Sequence, residues 1–148
     1  MLEFMADHML GRLCKWLRLM GYNVQYPQCH SDNDILKKCQ KENLILLTRD
    51  YEFYRRYDKS VYIDSPDFKM QLRQMAKMYP PDPKLFFTRC PECNALLQTV
   101  KTDSMDASYE SVKSRFTEVK QCPVCKRYYW EGSHYGKILV QLNEVMEG

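Results

Sequence analysis

The chain has 148 residues, 45% hydrophobic and 28% charged, the scale of one domain or of a compact domain carrying a small metal-stapled module. This composition excludes collagen-like and wholly disordered chains, and no apolar run approaches the roughly 20 residues of a membrane span. A formal net charge of +3 is too small to identify a nucleic-acid binder by itself. Glu3 and Asp7 stand where a secretion signal would carry lysines before an apolar stretch, so the expectation is a cytoplasmic protein without a membrane partner.

Leu2 to Ala6 reads as a short strand that stops at Asp7. From His8 to Met20 the residues Leu10, Leu13, Leu17 and Met20 recur at helical spacing, with Gly21 as a left-handed cap. Asn23 to Tyr26 is a second strand, and Asp32 is the expected N-cap of a helix running to Lys41. Leu44 to Leu47 is continuously apolar, as a strand buried on both faces should be. A short helix over Tyr51 to Tyr57, a strand over Val61 to Ile63 and a helix over Phe68 to Met78 follow. Alternation of this kind predicts an α/β fold with a mainly parallel sheet. The run Tyr79-Pro80-Pro81-Asp82-Pro83 places a boundary between residues 1–80 and 81–148.

Beyond it stand two knuckles, Cys90-Pro91-Glu92-Cys93 and Cys122-Pro123-Val124-Cys125. Two Cys-x-x-Cys turns can aim four thiolates at one tetrahedral Zn²⁺, and four protein ligands leave no open position, so the metal is expected to be structural. The interval between them exceeds the ~15–20 residues of the commonest pattern, and the polar loop from Thr102 to Ser114 accounts for the excess. A redox role is the alternative for these thiols. Cys14, Cys29 and Cys39 read as small core side chains. A closing helix from about His134 to Met146 packs either on the metal module or back on the first part of the chain.

Asp7 and Asp50 each follow an apparent strand, at the end where open α/β sheets bind ligands, and Asp32 and Asp34 open the helix after the second strand. Acids converging there would call for a hard divalent cation, whereas each taken alone reads more simply as a helix cap or, for Asp34, as a charge at the positive end of the helix dipole. Ser133 and His134 lack an acid partner and an oxyanion loop, which argues against a Ser-His triad.

The ordered residues Phe4, Asp7, Leu10-Gly11-Arg12-Leu13 and Trp16-Leu17-Arg18 resemble the opening of the Mut-seven C-terminal RNase family. Asp34, Leu47-Thr48-Arg49-Asp50, Gln71-Leu72, Arg89 to Asn94, Phe116 to Cys125 and Trp130 to His134 continue the likeness. The resemblance implies a PIN-like fold flanked by helices, with a C-terminal zinc ribbon, and a ribonuclease that uses Mg²⁺ or Mn²⁺. It carries the catalytic acids over to Asp7, Asp34 and Asp50, with Asp32 an added candidate and Asp64 or Asp67 a further one. Arg49 is a candidate phosphate contact through its planar fork, Arg12, Lys15 and Arg18 could track a phosphate backbone, and His134 could bind substrate. Tyr128, Tyr129 and Trp130 could stack on unpaired bases or form the module's own core. RNA is the expected partner, a ribonucleoprotein and a homodimer being further ones, and a catalytically silent RNA-binding adaptor is the competing reading.

Overall fold

The computed structural model describes residues 1–28 and 31–147. Four short strands, β1 (Glu3–Ala6), β2 (Asn23–Gln25), β3 (Ile45–Thr48) and β4 (Ser60–Tyr62), form a parallel sheet in the order β2-β1-β3-β4. The register pairs Phe4 with Val24 and Ile45, and Thr48 with Tyr62.

Alternation along the strands explains both covered faces. Phe4, Ala6, Ile45 and Leu47 point into one core with Leu13, Leu17 and Leu72. Their neighbours Met5, Leu44 and Leu46 point into the other, with Ile35, Cys39 and Phe53. The first core is roofed by α1 (Gly11–Leu19) and α4 (Phe68–Met78), the second by α2 (Asp32–Glu42) and α3 (Tyr51–Arg55). Right-handed crossovers require this division, because the chain moves from β1 to β2 in one direction and from β2 to β3 in the other.

Local chemistry sets the element ends. The expected first helix begins as a single 3-10 turn over His8–Leu10 before α1, and Asp7 accepts the His8 amide at its start. Gly21 adopts φ +95, where a Cβ would lie 2.6 Å from the Leu85 Cβ, so the left-handed cap also admits a close chain crossing. One expectation is corrected: Ser31, not Asp32, caps α2, its hydroxyl accepting the Asp34 amide at 3.1 Å. Asp32 is the first helical residue, where its charge favours the positive end of the helix dipole.

A second sheet, antiparallel in the order β5-β6-β7, is built from β5 (Gln98–Lys101), β6 (Glu118–Gln121) and β7 (Tyr128–Tyr129). The polar loop carries two 3-10 turns and α5 (Glu110–Lys113), which bring Met105 and Val112 onto Val119. Tyr109, Phe116, Tyr128 and Trp130 pack against this small core. The closing helix α6 (Ser133–Glu147) returns to the first part of the chain, packing against α4 and adding Leu142 and Val145 to the first core.

Candidate active site and metal centre

The four cysteines come first, because their geometry is the most local. After each knuckle one residue turns left-handed, Asn94 at φ 67 and Lys126 at φ 67. The two turns repeat the same bonds. Asn94 and Lys126 donate to the carbonyls of Cys90 and Cys122, and Cys90 and Cys122 donate to those of Ala95 and Arg127. The Val124 and Cys125 amides point at the Cys122 Sγ, at 3.4 and 3.5 Å. All four Sγ atoms lie within 4.8 Å of one another, with Cys90 and Cys125 3.8 Å apart. Tetrahedral Zn–S bonds of ~2.3 Å require S···S separations of about 3.8 Å. The donor set therefore suits a structural zinc, and amide donors to sulfur stabilise thiolate charge.

The module is docked by side chains from both sides. Arg18 is buried, donating from Nε to the Val24 carbonyl at 2.8 Å and from Nη1 to the carbonyls of Pro91 and Glu92. Asn94 accepts the Val24 amide at 3.1 Å and donates to Asn23. β2 is an edge strand, so these bonds satisfy main-chain groups that would otherwise face solvent. Arg18 is thus a tie between α1, β2 and the first knuckle, and its guanidinium does not share the exposed face of Arg12 and Lys15. Arg12 lies over the Phe68 ring at 4.0 Å, and Lys15 pairs with Glu92 at 3.1 Å.

Asp7 and Asp50 stand at the opposite kind of place, the carboxyl edge of the parallel sheet. Strand order reverses between β1 and β3, and such a switch point leaves a crevice between two strand ends. Asp7 follows β1 and is buried at 4% exposure, and Asp50 follows β3 and is half-buried. Thr48 joins them. Its hydroxyl donates to Asp7 Oδ2 at 2.7 Å and accepts the Asp50 amide at 3.0 Å. Asp7 Oδ1 takes the His8 amide at 2.7 Å, and Asp50 Oδ1 caps α3 through the amides of Glu52 and Phe53. Both acids therefore do cap helical turns, and among the described residues neither has a cationic partner within 4.0 Å.

Asp32 and Asp34 are exposed on the first turn of α2, on the same side of the sheet as Thr48. Asn33 accepts a bond from Arg56 that ties this turn to the end of α3. Asp7, Asp34 and Asp50 do not form a group with oxygens within 4.8 Å of one another among the described residues. Arg49 braces the end of β4, donating to the Ile63 and Asp64 carbonyls at 3.3 and 3.5 Å. Asp67 caps α4, and Asp64 stands exposed at the end of β4. His134 is exposed at the start of α6, on the rim of a separate cleft. Cys14 is a core thiol that burial pushes up to about 11, Cys39 is buried on the inner face of α2, and Cys29 lies outside the described residues.

Sequence reasoning passed over Thr48, although a hydroxyl between a fully apolar strand and an Arg-Asp pair was a signal. It also passed over Tyr51, Tyr54 and Tyr62, whose rings cluster at 5.6 to 5.9 Å beside Asp50.

An α/β sheet with carboxylates at its switch point and a separate four-cysteine module define a protein whose thiol cluster and acidic edge are distinct. The chain belongs to the Mut7-C RNAse domain family, which matches residues 2–142. Comparison with curated proteins and with solved structures gives no match. Family membership implies a ribonuclease acting on RNA. No helix among the described residues is long and apolar enough to cross a membrane.

Proposed function

We propose that the chain is a divalent-metal-dependent ribonuclease of PIN-like type that hydrolyses RNA phosphodiester bonds at the edge marked by Asp7 and Asp50. The observation that carries this reading is the buried Asp7 carboxylate, joined to Asp50 through Thr48 and without a cationic partner among the described residues. An ionised carboxylate out of water needs compensation, and hard oxygen donors suit Mg²⁺ or Mn²⁺. Asp7 and Asp50 would hold such an ion, with Asp34 or Asp32 approaching from α2. When bound, the ion neutralises phosphate charge and acidifies water for in-line attack.

The chain's own residues do the rest. Thr48 and the His8 amide fix the Asp7 carboxylate by one bond to each oxygen, so that it meets a cation without reorganising. Asp50 spends Oδ1 on the α3 cap, leaving Oδ2 without a hydrogen-bond partner among the described residues. Arg49, anchored by its bonds to the end of β4, is positioned to offer its remaining N–H groups to a phosphate oxygen. Arg12 is exposed at the start of α1 and can meet a neighbouring phosphate.

The test is cleavage of a labelled single-stranded RNA with and without added Mg²⁺ or Mn²⁺, using wild type, Asp7→Asn and Asp50→Asn. Asparagine is as good an N-cap as aspartate, so Asp50→Asn removes charge while keeping α3. Removing an outer-shell partner of a metal costs ~10–100-fold, so loss of a ligand should cost at least about 100-fold. If wild type binds several RNAs and cleaves none, the adaptor replaces this reading.

A further inference from the structure

One concavity lies away from the acids. A cleft of about 790 Å³ opens where the later part of α1, the segment 86–89, β7 and the start of α6 meet, a volume within the ~300–1,000 Å³ of ligand sites. Its walls include Trp16, Phe87, Trp130 and Tyr135, all half-buried, with the Phe87 and Tyr135 rings in tilted contact at 4.1 Å between centroids. Phe87 is left-handed at φ 61, a conformation that bulky residues adopt only when their surroundings hold them. Its amide is held by the Leu19 carbonyl at 2.8 Å. The wall is therefore preformed.

The rim carries a small positive excess. Arg89, which donates one N–H to the Asn94 carbonyl at 2.9 Å, and Lys120, whose ammonium donates to the Thr99 hydroxyl at 2.8 Å, border the cleft with His134, and Lys15 neutralises Glu92 across it, leaving Glu131 as the one unpaired acid among the described lining residues. Planar rings inside with cations around the mouth match a flat, uncharged ring carried on an anionic backbone. A peptide offers the ring without the anion. A duplex offers the anion but keeps its bases stacked inside. The cleft also connects to the sheet edge: Arg12 lies over Phe68, and the Phe68 ring meets Trp16 at 5.3 Å. Gly11 to Trp16 spans about 8 Å of helix axis, so the cleft and the start of α1 lie within reach of one short strand.

We propose that this cleft is a second, non-catalytic RNA site that takes one unstacked base of single-stranded RNA, with the adjoining phosphates on Arg89, Lys120 and His134. The proposal rests on the reading of the chain as an RNA-acting protein, and makes it selective for unpaired substrate. Zinc is a requirement of the site, because β7 and the first knuckle supply one wall.

The two tryptophans of the chain, Trp16 and Trp130, both line the cleft, so intrinsic fluorescence reads its occupancy directly. The zinc-loaded full chain is titrated with a short single-stranded oligoribonucleotide, with its abasic counterpart and with an aromatic peptide. Stacking predicts quenching by the first alone. Tyr135→Ala should weaken binding about ten-fold, in the range expected for loss of a base-stacking contact, and Lys120→Glu should weaken it and flatten its salt dependence, as loss of a phosphate contact does, with zinc content and Tm at wild-type values. Lys120 is exposed, so that variant tests the site without touching a core. Equal quenching by the abasic strand, quenching by the peptide alone, or unchanged affinity in both variants overturns the proposal. RNA cleavage without quenching overturns the cleft and leaves the nuclease standing. Quenching without cleavage of any RNA overturns the nuclease and leaves the cleft.

Discussion

The four-cysteine module and the acidic sheet edge solve the same problem, bringing like-charged ligands together, by different means. In the module each pair of thiols lies within one turn, and the two turns carry the same carbonyl bonds and the same left-handed residue, Asn94 or Lys126. At the edge the acids come from the ends of two strands and the start of a helix, so only the crossovers bring them near. Asp7 and Asp50 share Thr48, whereas the α2 acids stand on the same side, exposed to water. The thiolate site is closed and made for stability. The edge is open and its groups are only partly engaged, as the proposed site, which must admit substrate, requires.

The largest expected effect would break the first half of this comparison. Structural zinc contributes an apparent ~10–16 kcal/mol in small zinc modules, so Cys122→Ser or zinc removal should unfold the second sheet. Thiol labelling at pH 8 should then gain the freed module cysteines, while Cys14, pushed up to about 11 by burial, stays unlabelled. Metal analysis should give one zinc per chain, and an apo form with the melting curve of the zinc form would contradict the assignment.

Next comes the tie between the two regions. Arg18→Met leaves the Val24, Pro91 and Glu92 carbonyls without their charged donor, which should cost about 3 kcal/mol by chemical denaturation. A loss below about 0.5 kcal/mol would mean that water replaces the guanidinium.

Thr48→Val keeps the shape of the edge but removes the bond between its two acids. It should lower kcat about ten-fold, as outer-shell partners of metal ligands do, with a stability loss of about 1 kcal/mol. Unchanged cleavage would mean that Asp7 needs no orienting partner.

The smallest effect concerns the surface. Lys15 and Glu92 bridge α1 and the first knuckle at 3.1 Å, but both are about half exposed. Lys15→Ala should therefore cost under about 1 kcal/mol and less in high salt. A loss as large as that of Arg18→Met would show that the exposed pair, not the buried arginine, docks the module.

Much of this is legible in the sequence. β3 was readable as buried on both faces because its apolar run is continuous, and Ile45 to Leu47 do enter both cores. Phe68 to Met78 forms the expected helix. The cap of α2 was misassigned by one residue because Ser31 and Asp32 are both good caps, and only the backbone turn selects between them. Arg18 looked like part of a basic stripe with Arg12 and Lys15. Threefold spacing cannot distinguish a phosphate contact from a buried tie whose acceptors lie in another module.

By itself the sequence determined what short-range chemistry controls: the period of each element, Gly21 at the end of α1, the thiol pairs and the acids that follow β1 and β3. Tertiary structure decided the rest. Strand order placed Asp7 beside Asp50, side-chain geometry made Thr48 the link, and docking turned Arg18 inward. The return of α6 set Tyr135 against Phe87. These outcomes join residues far apart in the chain, where no periodicity carries information and packing alone selects the neighbours.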